Sequence, residues 1–497
     1  MAERKKSTFQ RLQHGRLNRK QRKELAQRLA KDDPGLEIVH RDAAGIDIGN
    51  ESHFVAVPAG RDVEPVQEFG SWTRDLQRMA EWLKKCGIRT VAMQSTGVYW
   101  IAAQDVLEQA GFEVCLVNAR GTKNLPGRKS DVQECQWLMK LHTYGLLRNS
   151  FRPPEQIRAV RTVWRLRDRV VSDAGRTVQQ MQKALTKMNV HLANAINDVS
   201  GVTGLKIIRA IVSGQRDPKQ LAKLRDVRVH ASEEEIACSL EGNWQSDVLF
   251  ELEQALETYD FHQKQLAACD AQLQRYMAAL PDRDGVPVAE PVAEPREPAG
   301  KRRKAKSRRK AKNYPSFDLA AELERKTGVD LTTIDGINVL TAQTIFSELG
   351  ADLSAFPTEA HFCSWLTLSP KRDVSGGKVI KHISSPVQNR VALALRMAAQ
   401  SLFNSDSYLG ARCRQLRARR GGLKAVKAMA RYLACLVYRL LTKGQAWVDQ
   451  GAAHFEKQRQ FRDMAALGRR AAAMGLQLVP ATCPESSMPT GQLRTSG

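Results

Sequence analysis

The stretch AAGIDIGNESHFVAVP, residues 43–58, predicts two consecutive strands joined by a short polar turn. A third strand, VQEFGS at residues 66–71, follows. The chain then alternates between amphipathic helices and short apolar strands. These segments are helix 73–87, strand 89–94, helix 98–111, strand 112–119 and helix 130–147. Three strands followed by alternating helices and strands predict an α/β domain with a mixed sheet.

The order of these elements is that of a ribonuclease-H-like fold, which we place at residues 41–155. Residues 156–280 contain little strand signal. Two segments there repeat apolar residues at alternating three- and four-residue steps, and only Gln263 and Asp270 interrupt the second repeat. This heptad pattern predicts two long helices that form a coiled coil. The pairing can lie between chains or within one chain as a helical hairpin.

Residues 317–450 are predicted to be mostly helical. The segment LTTIDGINVLTAQTIFSELG, residues 331–350, has a Gly-Ile turn between two helical segments and is typical of a helix-hairpin-helix element. In that motif, backbone amides at the hairpin and at the helix N-terminus can hold a DNA phosphate. A helical hairpin inside a core would give the same pattern.

The 497 residues include 77 Lys and Arg against 53 Asp and Glu, which gives a net charge of +24. Such a charge favours a polyanionic partner, with nucleic acid ahead of an anionic membrane surface. Two segments concentrate the charge: an arm at residues 1–40 and the tract KRRKAKSRRKAK within a Pro-rich and Lys/Arg-rich linker at 281–316. The alternative is that both segments only increase solubility. A tail at 451–497 completes the division into domains.

No run of 18 apolar residues is present, which argues against a membrane-spanning helix. The first residues are basic but are not followed by an apolar segment, so no secretory signal is predicted. None of the nine cysteines forms a Cys-x-x-Cys pair, which argues against a zinc ribbon or a disulfide framework. We therefore expect a cytoplasmic, nucleoid-associated protein with reduced thiols.

Acidic residues at two places are candidates for a metal site. Asp47 lies on the first strand in GIDIG, and Asp131 and Glu134 lie three residues apart, on one face of a helix. Gln94 ends the strand 89–94 and can offer a neutral carbonyl oxygen. Oxygen ligands of this kind suit a divalent cation in phosphate chemistry. The alternatives are a structural strand-end Asp47 and a helix-dipole role for the other two carboxylates.

Ser375 is the candidate nucleophile. It lies in PKRDVSGGKVIKH, where the two following glycines leave room for DNA to approach its hydroxyl. The alternative is an ordinary turn serine. Basic residues near these candidates and on a helix near the C-terminus could contact phosphates. They are Arg128, Lys129, Lys371, Arg372, Lys378, Lys381, Lys424, Lys427 and Arg431.

Several motifs together resemble the DEDD-type, bridge-RNA-guided serine transposases of bacterial insertion sequences. In the first half they are AAGIDIG, QSTGVYWI, SFRPP and the segment from GFEVCLVNARG to MKLHTYGLL. In the second half they are IDGINVLTAQTIFSELG, FCSWLTLSP and SGGKV. The resemblance is collinear over roughly residues 40–450. It implies a Holliday-junction-resolvase-like domain, a coiled coil and a C-terminal transposase domain.

The resemblance implies a role for each candidate. Asp47 and Asp131 would be acidic metal ligands, and Glu134 stands where the family usually has Asp. Ser375 matches the serine that forms a covalent phosphoserine intermediate with DNA. Gln94 stands where the family has Glu, and this departure lowers the negative charge expected at the metal site.

The resemblance also implies Mg²⁺ or Mn²⁺ as cofactor. As partners it implies donor and target DNA, a non-coding guide RNA, and further copies of the chain in a dimer or tetramer formed through the coiled coil. Two alternatives stay open. One is a catalytically impaired or domesticated nucleic-acid-binding protein of the same fold, which Gln94 favours. The other is a metal-dependent junction nuclease without a covalent intermediate.

Overall fold

The computed structural model describes residues 35–95, 97–118, 130–283, 313–375, 378–383, 389–444, 461 and 464–477. It divides into two compact units, Met1–Arg152 and Pro153–Gly497, called the first and second unit below. The predicted basic arm up to residue 34 and the tract 301–312 lie outside the described residues. Among the helices of the described part, none combines the length and the apolar composition needed to span a bilayer.

A five-stranded mixed sheet forms the centre of the first unit. Its strands are β1 (Ala43–Ile48), β2 (Ser52–Ala56), β3 (Val66–Gly70), β4 (Thr90–Gln94) and β5 (Glu113–Val117). They are ordered β3-β2-β1-β4-β5, and β2 is antiparallel to both of its neighbours. Since β4 is parallel to β1 and β5 is parallel to β4, the strands β1, β3, β4 and β5 all end at one edge of the sheet. We call this edge the carboxyl edge.

In the described part of the first unit, three helices accompany this sheet: α1 (Thr73–Lys85), α2 (Trp100–Gln109) and α3 (Asp131–Thr143). The two faces of the sheet differ in side-chain size because residues alternate along each strand. On one face, bulky residues such as Ile46, Ile48 and Met93 form a core with α1 and α2. On the opposite face, Gly45 and its neighbours Ala43, Ala56 and Ala92 are small, and α3 packs there. The predicted mixed α/β arrangement of the first unit is confirmed.

The second unit is mostly helical, as the sequence predicts. Its helices are α4 (Glu155–Lys187), α5 (Leu192–Ala195), α6 (Val202–Val212), α7 (Pro218–Ala222), α8 (Glu233–Ser239), α9 (Ser246–Ala278), α10 (Leu319–Thr327), α11 (Val339–Leu349), α12 (Glu359–Trp365), α13 (Arg390–Ser401), α14 (Tyr408–Arg420) and α15 (Gly422–Lys443). A hairpin of β6 (Lys371–Ser375) and β7 (Lys378–Ile383) lies between α12 and α13.

The predicted helix-hairpin-helix element is shorter than expected on its first side. The residues before the turn form one 3₁₀ turn, Leu331–Thr333, and only α11 after the turn is a full helix. Asp330 explains the short segment, because its carboxylate accepts hydrogen bonds from the backbone N–H and the hydroxyl of Thr332. Asn338 caps α11 by accepting from the N–H of Thr341 at 2.8 Å.

The two long helices α4 and α9 pack side by side within the chain. They are antiparallel, because Arg167 pairs with Asp270 while the later residue Lys187 pairs with the earlier residue Glu251. Apolar residues at heptad spacing line this contact, among them Val160, Ala174 and Met181 of α4 and Leu252, Tyr259 and Leu273 of α9. The heptad pattern allowed these helices to pair within one chain or between chains, and the structure shows a pairing within the chain. A coiled coil between chains stays a prediction.

Asp270, which interrupts the apolar repeat, is part of a buried ion pair. Its carboxylate accepts from Nε of Arg167, and the side chains of the two residues are only 7% and 5% exposed. A second oxygen of Asp270 accepts from the backbone N–H of Ser316 at 3.0 Å. The Arg167 guanidinium also lies over the ring of Trp164, 5.5 Å from its centroid. Asp270, in the apolar contact between α4 and α9, is therefore paired with a residue of opposite charge on α4.

Removing one member of this pair is expected to destabilise the second unit strongly. In Asp270→Ala the Arg167 guanidinium would stay buried without its partner, which costs about 3–5 kcal/mol of the free energy of unfolding. The double variant Arg167→Met/Asp270→Leu should recover most of that loss. Urea denaturation followed by circular dichroism measures both. Asp173→Ala, which breaks the exposed Arg176–Asp173 pair, is the control and should change stability by less than about 1 kcal/mol. Equal effects of the Asp270 and Asp173 variants would contradict the assignment.

Candidate active site

Two of the predicted site residues lie side by side at the carboxyl edge of the sheet. Ile46 of β1 is in register with Met93 of β4, so the next residues, Asp47 and Gln94, are adjacent on these parallel strands. Alternation along the strands places both on the face that α3 covers. Asp47 is half-buried and Gln94 is 6% exposed. Strand ends of this kind are a common location for ligand sites in α/β folds.

The first turn of α3 supplies the other two predicted acidic residues. Ser130 caps the helix by accepting from the backbone N–H of Gln133, so the helix begins at Asp131. Asp131 is exposed and Glu134 is partly buried, and both lie in the first helical turn. The positive end of the helix dipole stabilises carboxylates there.

The structure brings these three carboxylates into one electrostatic cluster. Burial raises the pKa of Asp47 to about 6, and the negative charges of Glu134 and Asp131 add to the rise. Burial likewise raises the pKa of the Cys135 thiol to about 12, with further contributions from Asp47 and Asp131. The packing of α3 on β1 accounts for this proximity, because the carbonyl oxygen of Cys135, the residue after Glu134, lies against Gly45.

Gly45 allows this close approach, although no motif in the sequence marks it as a site residue. A Cβ atom at Gly45 would lie 2.2 Å from the backbone nitrogen of Met139 and 2.3 Å from the carbonyl oxygen of Cys135, both in α3. The backbone of α3 therefore rests directly on the backbone of β1. The neighbouring positions on the same face are also small and fully buried: Ala43, Ala56 and Ala92. Along β1, the small residues Ala43 and Gly45 alternate with residues of the core on the other face. This alternation is visible in the sequence and could have indicated the close packing of α3.

The donor set fits a hard divalent cation in ligand type and in charge. Three carboxylates and one amide carbonyl are oxygen donors of the kind that Mg²⁺ binds. A cation would also relieve the repulsion from Glu134 and Asp131, which adds to the effect of burial on the pKa of Asp47. Within the described ranges, however, no three His, Cys, Asp or Glu side chains already lie close enough together to hold a metal ion. The cluster is thus an acidic site without a preformed cage.

Gln94→Glu should increase the affinity of the site for Mg²⁺ by about tenfold or more, because ligand charge strongly controls affinity at oxygen sites. In EDTA the same variant should unfold at a lower temperature than wild type, since a fourth carboxylate beside Asp47 adds repulsion. Thermal denaturation with and without Mg²⁺ measures both effects. Gln104→Glu, at a position on α2 that is 3% exposed and away from the acidic site, is the control and should lose stability while responding to Mg²⁺ as wild type does. If Mg²⁺ raises the melting temperature of Gln94→Glu no more than that of wild type, Gln94 is not a metal ligand.

Ser375 is the last residue of β6 and is in register with Lys378 of β7. The antiparallel pair is irregular between Asp373 and Val374. Gly376 and Gly377 lie outside the described residues, as do the side chains of Ser375 and of its predicted basic neighbours. Those neighbours are Lys371, Arg372, Lys378 and Lys381. Ser375 belongs to the second unit and the carboxylates to the first.

The predicted phosphate contacts of α15 lie on a strongly basic helical pair. Lys424 and Arg431 are exposed and Lys427 is partly buried. The preceding helix α14 adds Arg414, Arg417, Arg419 and Arg420, which are also exposed. No acidic residue occurs between Asp406 and Asp449, so the exposed charges of both helices are all positive. Arg128 and Lys129 lie outside the described residues.

Two models of protein families match the chain. One, a transposase model of the DEDD type named for the IS110 group, matches residues 44–190. It covers the sheet except Ala43, the helices α1 to α3 and all of α4. The other, described as the transposase IS116/IS110/IS902 family, matches residues 330–413 and includes α11, the β6–β7 hairpin and Ser375. No curated protein matches the chain.

Proposed function

The chain belongs to the IS110 family of insertion-sequence transposases, and on that premise we propose that it cuts and rejoins DNA through a phosphoserine intermediate at Ser375. Membership of the family makes DNA its partner and recombination its activity. The proposal adds the nucleophile, a metal-dependent acidic site and guidance by a non-coding RNA.

One observation carries the proposal: Asp47 at the carboxyl edge lies within electrostatic reach of Asp131 and Glu134 of α3. Asp47 is far from the other two in sequence, and all three are positions that the resemblance implies are ligands. The strand order β3-β2-β1-β4-β5, with β2 antiparallel, supports the ribonuclease-H-like assignment of this unit. Asp47 thereby lies near the end of the central strand.

A divalent cation bound by Asp47, Asp131 and Glu134, with Gln94 as a neutral ligand, would supply Lewis-acid activation of a DNA phosphate. Oγ of Ser375 forms a new bond to phosphorus, and the bond from phosphorus to a sugar oxygen breaks. The serine proton is lost and the leaving sugar oxygen gains one, so a phosphodiester is exchanged for another phosphodiester. The bond energy is retained and is available for rejoining strands. The basic residues flanking Ser375 would stabilise charge on the attacked phosphate.

The net charge of +24 supports binding to DNA and to a guide RNA through their phosphate backbones. We assign this role to Lys424, Lys427 and Arg431 on α15 and to the segments 1–40 and 281–316. Assembly into a dimer or tetramer through the helical region 156–280 completes the proposal. The exposed residues Phe250 and Phe261 of α9, which are not used in the α4–α9 contact, are consistent with such assembly.

The test is whether the full chain forms a covalent adduct with DNA. Purified protein is incubated with its guide RNA, labelled DNA carrying the ends of the element, and Mg²⁺. We expect a labelled band that survives SDS, depends on the divalent cation, and yields a phosphoserine peptide containing residue 375 by mass spectrometry. Gln94 favours a second candidate, a catalytically impaired nucleic-acid-binding protein. That candidate predicts binding to DNA and RNA without any adduct, while a junction nuclease would give cut DNA and no adduct.

A further inference from the structure

Two exposed aromatic residues lie on the same edge of the sheet as the carboxylates. Trp72 follows the end of β3 and is 71% exposed. Tyr99 follows the end of β4 and is 46% exposed. β3 and β4 both end at the carboxyl edge, and they lie on opposite sides of β1. Trp72 and Tyr99 therefore follow strands on either side of the strand that carries Asp47.

The placement of these residues is specific within the first unit. Its other described Phe, Tyr and Trp residues are buried or half-buried, and only Trp72 and Tyr99 are exposed. Single exposed apolar residues are ordinary on a protein surface. Here, however, both exposed aromatic residues of the described first unit occur at the edge that carries the acidic cluster.

The backbone holds both residues in defined positions. The N–H of Ser71 donates to the carbonyl of Glu51 at 3.0 Å, which ties the segment before Trp72 to the β1–β2 turn. After β4, the N–H of Ser95 donates to the carbonyl of Val117 at 2.9 Å. The ring of Tyr99 lies against Gly97, where a Cβ atom would be only 3.2 Å from Cε2 of the tyrosine. Gly97 has a φ of +55°, a conformation that favours glycine.

The spacing suits a nucleic-acid strand. Neighbouring strands of a sheet lie about 4.8 Å apart, so β3 is about 10 Å from β1 on one side and β4 is about 5 Å from it on the other. Trp72 lies two residues beyond the end of β3 and Tyr99 five residues beyond the end of β4, so a nucleic-acid strand held at Asp47 would run between two segments that each carry an exposed ring. Exposed aromatic rings beside a phosphate site are the usual means by which proteins stack unpaired bases, without regard to sequence.

We infer that Trp72 and Tyr99 are stacking platforms for unpaired bases on either side of the phosphate that is cut. The inference rests on the proposed function, because it takes the acidic cluster to be the site of cleavage. It adds that the DNA strand enters this site with its bases unpaired. In a duplex, each base is already stacked and its faces are not available to a side chain.

Photo-crosslinking of the full chain tests the inference. A single-stranded 20-nucleotide DNA in which several thymidines are replaced by 5-iododeoxyuridine is bound, irradiated and mapped by mass spectrometry. We expect crosslinks at Trp72 and Tyr99 with the single strand and at least about fivefold fewer with the same DNA in a duplex. Trp72→Ala and Tyr99→Ala should each raise the Kd for the single strand about fivefold or more, while Tyr99→Phe should retain affinity. Phe461→Ala, an exposed aromatic residue outside the first unit and outside the helical region 156–280, is the matched control and should change nothing.

Three results would overturn the inference: no crosslink at either residue, equal crosslinking of duplex, or unchanged affinity in both alanine variants. A fall in the mass of the protein assembly in Trp72→Ala or Tyr99→Ala would instead assign the surface to contacts between copies of the chain, and would also overturn it. The adduct assay is read independently. Wild-type protein that forms the phosphoserine adduct but fails to crosslink would retain the proposed function and lose only this inference.

Discussion

Ser375→Ala is expected to abolish the SDS-resistant protein–DNA adduct while leaving the affinities for DNA and guide RNA within about twofold of wild type. Alanine removes the one oxygen that can bond to phosphorus, so no covalent intermediate can form whatever the state of the metal site. The ladder between β6 and β7 consists of backbone hydrogen bonds, which the change from serine to alanine leaves available. Denaturing gels with labelled DNA measure the adduct, and filter binding measures the affinities.

Ser384→Ala is the matched control, because Ser384 lies nine residues further along in the same segment of the chain. It should form the adduct at the wild-type rate. An adduct that persists in Ser375→Ala would remove Ser375 as the nucleophile. If binding were lost together with the adduct, the variant would have to be replaced by Ser375→Thr, which keeps a hydroxyl group. Recovery of binding without the adduct in that variant would still assign the attack to the primary hydroxyl of serine.

The strands and helices of the first unit could be predicted from the sequence because local signals agree with tertiary burial there. In GIDI, for example, Ile46 and Ile48 lie in the core, and the alternate position Asp47 faces the other side of the sheet. The acidic residues could be singled out from their chemical type and spacing. Their mutual proximity could not, because it depends on the packing of α3 on β1.

Sequence patterns also do not predict which residues pair with the polar residues of the chain. In the sequence, Asp270 only interrupts an apolar repeat. Its role depends on the ion pair with Arg167, which lies on the antiparallel helix α4, 103 residues away. The heptad pattern fixes which face of each helix is buried, but it leaves the direction and identity of the partner helix open. The same limit applies to Trp72 and Tyr99. Their position beside Asp47 follows from the strand order, which no local signal determines.

Gly45→Ala is expected to lower the free energy of unfolding of the first unit by about 3 kcal/mol and adduct formation at least about tenfold. The added methyl group would meet backbone atoms of Met139 and Cys135 at 2.2 and 2.3 Å, and neither can turn away as a side chain could. The strand or α3 must therefore move. Because α3 carries Asp131 and Glu134, any such movement separates these carboxylates from Asp47.

The response to Mg²⁺ distinguishes a positioning role of Gly45 from a purely structural one. A variant that is merely less stable would still gain melting temperature when Mg²⁺ is added, since its ligands would be in place. Displacement of α3 should instead reduce or remove that gain, even at temperatures where the variant is folded. Gly175→Ala is the matched control: Gly175 lies within α4, and no neighbouring atom comes within 4 Å of the position that an alanine methyl group would take, so alanine should stabilise the helix slightly. A Gly45→Ala protein with the wild-type Mg²⁺ response and the wild-type adduct yield would show that close packing of α3 is not what assembles the acidic site.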